Sequence, residues 1–201
     1  MYLLTRTLLL FALFLTLIYA CGEDAVPEPR PRGFPRVDFP EKAYQTFDTS
    51  FCDFTFEYPV YAEVIQDTDF FGEASVHPCW FDLYVPALNG RVHCSYVPVE
   101  DRTHFAQLHN DAFKMTYKHS IKARSIEETP FRNQHGVSGF TFFLEGPVAS
   151  SYMFYLTDST DHFLRGSLYF DTQARPDSLR PVMEFLKEDI DHMLQTFQWE
   201  E

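Results

Sequence analysis

The sequence predicts an α+β fold, a mainly antiparallel sheet flanked by helices. Three observations carry this. Stretches such as Cys52-Asp53-Phe54-Thr55-Phe56-Glu57-Tyr58 alternate apolar and polar residues, the period of a half-buried strand. Short turn signals separate such stretches, so that neighbouring strands reverse direction: Asn89-Gly90, Gly146-Pro147 and Asp158-Ser159-Thr160-Asp161. Two further segments, 101–119 and 178–197, repeat their apolar residues at helical spacing instead.

Each element follows from its own residues. In 52–58, Cys52, Phe54, Phe56 and Tyr58 share one face, and Pro59 stops the strand. Residues 62–65 are expected to continue as its partner. In 79–85, Cys79, Phe81, Leu83 and Val85 point inward. Asn89-Gly90 turns the chain, and 91–97 returns with Val92, Cys94 and Tyr96 inward. The helix at 101–119 has Asp101 as its cap and Phe105, Leu108, Ala112, Met115 and His119 on one face. His119 reads as a helix-end residue half covered by the core. Strands follow at 137–145, 149–157 and 163–171. The last helix, 178–197, carries Leu179, Val182, Leu186, Ile190, Met193, Leu194 and Phe197 as one stripe. Asp177 or Ser178 can cap it, and Pro181 is placed in the first turn, where proline does little harm. The order resembles the PsbP-like α-β-α sandwich, whose last helix lies across the sheet. That is a likeness of architecture and carries no function.

The chain has 201 residues, 45% hydrophobic and 22% charged, which fits one globular domain with appendages. Sixteen Lys and Arg against 29 Asp and Glu give a net charge of −13. Nucleic-acid binding needs clustered basic residues to neutralise phosphate, so that class is excluded. Electrostatic docking on anionic lipid heads is disfavoured for the same reason. Aromatic residues make up 17%, mostly Phe, and most should be core.

Residues 1–20 read as a lipoprotein signal peptide. Arg6 supplies the charged start, 8–18 is an apolar run, and Ile18-Tyr19-Ala20-Cys21 follows. The apolar run is shorter than a membrane span requires. Its ending resembles the bacterial lipobox, with Tyr19 bulky for its place. The resemblance implies that Cys21 is lipidated, with palmitate among its acyl chains, and becomes the new N-terminus. Two or more chains on one residue anchor firmly where one alone binds marginally. Gly22-Glu23-Asp24 resembles a weak surface-export signal of the Bacteroidota, or is the start of a solvated linker.

Residues 21–50 are then expected to be a lipid-anchored, Pro-rich tether, and 51–201 a single α+β domain. Pro27, Pro29, Pro31, Pro35 and Pro40 favour extended conformations between charged residues. Phe34, Val37, Phe39 and Tyr44 are costly to leave in water, so 32–47 should lie along the domain or against a partner.

With Cys21 lipidated, Cys52, Cys79 and Cys94 remain. The envelope is oxidising, which favours a disulfide. Cys52 and Cys79 both stand at strand starts and form the favoured pair; a bond to Cys94 and three free thiols are the alternatives. Cys94 itself reads as a small buried residue. Three Cys without a CxxC argue against a zinc site and thioredoxin chemistry.

Catalytic patterns are missing. His104 and His109 fall on different helix faces, and Glu188 and His192 share the polar side of the last helix. No HExxH, GxSxG, P-loop or GxGxxG occurs. Asp158-Ser159-Thr160-Asp161-His162 holds triad residue types, but adjacent in one turn, where triad members are normally dispersed. Phe70-Phe71 in a loop is either a partner contact or a cover over the core.

Several runs together resemble the gliding motility-associated lipoprotein GldD family of the Bacteroidota. They begin with Pro31-Arg32-Gly33-Phe34-Pro35-Arg36-Val37-Asp38 and Phe39-Pro40-Glu41-Lys42. Phe54-Thr55-Phe56-Glu57-Tyr58-Pro59, Cys79-Trp80-Phe81 and Tyr117-Lys118-His119 follow. Ala149-Ser150-Ser151, Leu156-Thr157-Asp158-Ser159-Thr160, His162-Phe163-Leu164-Arg165-Gly166 and Thr196-Phe197-Gln198-Trp199 complete the set. The resemblance spans nearly the whole chain after Cys21; Tyr19 and Cys94 depart from it.

The resemblance implies a lipid-anchored cell-envelope component required for gliding, an accessory part of the gliding and type IX secretion apparatus acting through protein-protein binding. Its partners would be other envelope proteins of that apparatus, and the membrane through the lipid. The periplasm-facing side of the outer or inner membrane and the cell surface all fit. No catalytic residues, cofactor, metal or small-molecule substrate carry over, so no enzyme is expected. Arg32, Phe34 and Arg36 are the candidate partner-binding residues. An envelope ligand-binding module with an aromatic-lined pocket is the alternative.

Overall fold

In a computed structural model of the chain, the residues described are 36–70, 73–74, 77–172 and 176–200, with Thr5 and Arg6. Phe34–Glu201 form one compact unit. Its strands are β1 (Tyr44–Thr46), β2 (Phe54–Thr55), β3 (Glu57–Pro59), β4 (Glu63–Gln66), β5 (Asp69–Phe70), β6 (Glu73–Ala74), β7 (Trp80–Val85) and β8 (Gly90–Pro98). Then come helix α1 (Arg102–Tyr117), β9 (Ser125–Arg132), β10 (Ser138–Glu145), β11 (Ser150–Thr157), β12 (His162–Phe170), helix α2 (Pro176–Thr196) and β13 (Gln198–Trp199).

Seven strands form one antiparallel sheet in the order β4-β7-β8-β12-β11-β10-β9. The fold is α+β, with strands covering about 40% of the described residues. Strand alternation divides the sheet into two apolar faces. On one, Phe81, Leu83, Val92, Cys94, Phe154, Leu156, Leu164 and Leu168 pack with Leu186, Ile190, Met193 and Phe197 of α2. On the other, Phe142, Leu144, Tyr155 and Phe163 pack with Leu108 and Ala112 of α1. Helix, sheet and helix therefore form three layers.

Local chemistry sets the connections. Asn89 takes the left-handed conformation, φ 47°, that asparagine tolerates, and a short 3-10 turn at Pro86–Leu88 precedes it. Asp101 is extended, and its side chain accepts from the His104 backbone N–H at 2.8 Å, capping α1. The buried face of α1 is Leu108, Ala112 and Thr116, while Met115 is exposed. The Thr116 hydroxyl is satisfied inside by the Ala112 carbonyl at 3.0 Å. In the 158–162 turn, Asp158 Oδ1 accepts from the backbone N–H groups of Thr160, Asp161 and His162.

The structure differs from the sequence reading at several points. The alternating run 52–58 is not one strand. Its halves serve different partners: β2 pairs with the C-terminal β13, and β3 pairs with β1. Residues 63–66 pair with β7, Val64 opposite Leu83, rather than with 52–58. The expectation missed β9, which is a mostly exposed edge strand containing Pro130, an edge being where proline is tolerated. Because α2 starts at Pro176, Pro181 lies inside the helix, beyond the first turn.

Candidate functional site: the N-terminal strap on the last helix

Residues 36–47, expected to belong to a tether ending at Ser50, are part of the fold. Phe47 is 1% exposed and stacks on Phe56 with ring centroids 4.4 Å apart. β1 adds to β3, and Phe39 stacks on Phe185 of α2 at 4.5 Å. The physical cause is apolar burial: Val37, Phe39, Tyr44 and Phe47 gain more on the domain surface than in water. The domain therefore begins before Phe51.

The strap is fastened by one carboxylate. Asp189 of α2 is 4% exposed. It accepts from Lys42 Nζ at 3.0 Å and the Tyr44 hydroxyl at 3.0 Å on Oδ1, and from the Tyr61 hydroxyl at 2.5 Å on Oδ2. Lys42 also pairs with Glu188 at 3.0 Å, donates to the Phe185 carbonyl at 2.9 Å, and lies over the Phe185 ring at 4.2 Å. Three donors on a buried carboxylate satisfy it in place of water. Burial, then the Asp189 bond, pushes the Tyr44 hydroxyl up to about 12 and drives Tyr61 further in the same direction. Both phenols therefore stay protonated donors at neutral pH.

A second contact lies one turn on. His192 Nε2 is 2.6 Å from Glu57 Oε2, and the His192 ring stacks on Tyr44 at 3.8 Å. The Glu57 backbone N–H donates to Thr196 Oγ1 at 2.9 Å. A carboxylate–imidazole pair can activate a nucleophile. Among the described residues the ring's hydrogen-bond partner is Glu57, with no hydroxyl or thiol bonded to the imidazole, and the pair joins β3 to α2.

Downstream, Cys52 and Cys79 are disulfide-bonded, Cα atoms 5.1 Å apart, joining the stretch after the strap to the start of β7. Cys94 is a free thiol wholly buried in β8, and burial pushes its pKa far up. Of the candidate partner-binding residues, Arg36 is described: its guanidinium meets Asp38 at 3.2 Å, with both side chains more than 80% exposed. Cys21, Arg32, Phe34 and Phe71 lie outside the described residues, as do the side-chain surroundings of Phe70. His119 is half-buried, and burial lowers its pKa. Among the described residues no group of three or more His, Cys, Asp or Glu could hold a metal ion.

The residues that sequence reasoning overlooked are Lys42, Tyr61 and Asp189. Asp189 carried a signal. It lies three residues after Leu186 and four before Met193, within the apolar stripe of α2, where a lone carboxylate requires buried donors. Lys42 and Tyr61 carried none, since their partner is remote in sequence.

Comparison with known proteins bears on this arrangement. No curated protein matches the chain. Among solved structures, the solution structure of cyanobacterial PsbP (CyanoP) from Synechocystis sp. PCC 6803 is similar with TM-score 0.43 and 10% identity, covering 80% of this chain and 94% of that one. No helix among the described residues is long and apolar enough to cross a membrane. A family model, that of the gliding motility lipoprotein GldD, matches residues 24–199. The match includes the strap, β2, the latch residues of α2 and the closing strand. The chain belongs to the gliding motility lipoprotein GldD family, whose lipoprotein character implies anchoring to an envelope membrane.

Proposed function

We propose that this chain is a lipid-anchored accessory component of the gliding and type IX secretion apparatus. It acts by protein-protein binding rather than catalysis. Acyl chains on Cys21 hold it at an envelope membrane, and the segment around Arg32, Phe34 and Arg36 takes up the partner. The observation that supports this most is the latch of Lys42, Tyr44 and Tyr61 on Asp189. It joins the polypeptide leading from Cys21 to the last helix of the domain. Tension or partner binding on that polypeptide therefore acts on α2 and, through the core, on the sheet.

The test deletes the gene in a gliding host and follows cell movement and type IX cargo release together. Lost movement with intact release supports a role in gliding alone. Loss of both supports a role in the apparatus that gliding shares with type IX secretion. Unchanged movement and release overturn the proposal. Complementation with Cys21→Ala separates anchoring from folding: it is expected to leave a folded but unlipidated protein that is released from membranes and fails to restore movement.

A further inference from the structure

Arg165 stands in mid-sheet, opposite Ser95 of β8 and Tyr155 of β11, on the face that α1 covers. α1 closes only part of that face. Beside it lies a cleft of about 440 Å³ whose lining includes Trp80, Ser95, Met115, His119, Met153 and Arg165. Among the described residues no carboxylate ion-pairs with Arg165. Its Nη1 approaches the Met115 sulfur at 3.3 Å instead. Asp111 acts on it only through space, and burial holds the guanidinium below its ordinary pKa.

This is unusual within a chain of net charge −13, where partners for a half-buried guanidinium abound elsewhere. Arg91 on the same face illustrates the contrast: Asp82 at 2.8 Å and Asp171 at 3.0 Å both meet it. A half-buried Arg without an acid is a preformed fork for a planar oxyanion. Lys118 lines the same cleft and adds positive potential. Two Met and several aromatic rings make most of the remaining wall apolar and adaptable, beside Ser95 and Ser167, which suits an organic body better than a hydrated inorganic ion.

We propose that this cleft binds a small amphipathic carboxylate, its carboxylate on Arg165 and its apolar body against Met115, Met153 and Trp80. The site lies on the opposite sheet face from the strap. It makes the domain a sensor or carrier of an organic acid in addition to its anchored role.

The test uses the full-length lipoprotein in detergent micelles with isotope-labelled methionine methyl groups. Met115 and Met153 report on the cleft, while Met183 and Met193 of α2 report on the other face. Phenylacetate is the probe, and phenylacetamide is its uncharged match in shape. The expected result is a saturable shift of the Met115 and Met153 signals with phenylacetate, and binding of phenylacetamide about tenfold weaker or worse, since the charge-assisted fork is lost. Arg165→Gln should remove that difference. Equal binding of acid and amide, equal shifts at Met183 and Met193, or no saturable shift overturns the proposal. The acid–amide comparison on the unaltered protein decides the matter even if Arg165→Gln fails to fold.

Discussion

Lys42 Nζ donates to Asp189 Oδ1 at 3.0 Å, joining residues 147 positions apart in sequence. The bond closes the chain into a near-complete circuit, with the incoming polypeptide held against the last helix. Tyr44 and Tyr61 complete the same carboxylate, so the three donors depend on one acceptor. Asp189→Ala leaves two phenols and an ammonium without it. The expected loss of stability is about 2–4 kcal/mol, the range for orphaning buried or partly buried donors. Lys42 retains Glu188 and some solvent, so Lys42→Met should lose less, about 1 kcal/mol. Urea denaturation of both variants checks the order. An Asp189→Ala loss no larger than that of Lys42→Met would mean that the carboxylate is not the centre of the latch.

The same geometry predicts an alkaline weakness. Burial and the Asp189 bond raise Tyr44 from 10.0 to about 12 in the folded state. A raised pKa means that the fold holds the proton more tightly than the unfolded chain does. The associated stability is complete below pH 10.0 and is lost as pH rises toward about 12. Tyr61 shifts in the same direction and adds to the slope. Stability measured against pH should fall more steeply for the natural protein than for Tyr44→Phe, which has no phenol to ionise there. Identical slopes would show that the Tyr44 hydroxyl does not face Asp189 in solution.

The latch also shows what sequence reading can and cannot reach. Geometry decided by one residue's own preference was legible: Asn89 at φ 47° turning β7 into β8, and Asp101 capping α1. So was the stripe of α2, where spacing alone defines the buried face. Features decided by a distant partner were not. The run 52–58 alternates cleanly, yet β13 takes one half and β1 the other. β9 carries acids and Pro130 and looks like a loop until β10 pairs with it, Phe140 opposite Pro130. Lys42 and Tyr61 look like ordinary surface residues until Asp189 is placed between them. Arg165 sits in a run with an obvious strand pattern, and only the cleft beside α1 gives it meaning.

The cysteines should separate by reactivity. The Cys52–Cys79 bond spans 27 positions, and reducing it should cost about 3 kcal/mol by loop closure. Cys94 is buried, and burial pushes its thiol well above the ordinary range, so it offers almost no thiolate. Iodoacetamide applied to the native protein should modify none of the three. Denaturation without reductant should open Cys94 alone to alkylation, and adding reductant should then release Cys52 and Cys79, which are themselves buried in the fold. Peptide mapping by mass spectrometry distinguishes the steps. Rapid native alkylation of Cys94 would contradict its burial, and a mapped bond to Cys94 would contradict the pairing.

The strap divides into a part that holds and a part that is free to bind. Phe39 lies on Phe185, whereas the Arg36 side chain stands 89% exposed, paired with Asp38, which is also exposed. Surface ion pairs of that kind contribute almost nothing to stability. Replacing Arg32, Phe34 and Arg36 together with Ala should therefore leave the melting temperature nearly unchanged. Phe39→Ala should lower it, because a stacked ring is lost from α2. Partner capture should behave in the opposite way. Cross-linking in gliding cells with the full-length lipidated protein should recover less of its envelope partners from the triple variant, and movement should slow in proportion. A steep fall in melting temperature would make 32–36 part of the domain's own packing. Undiminished capture would move the binding surface elsewhere, and the exposed edge strand β9 would be the next face to alter.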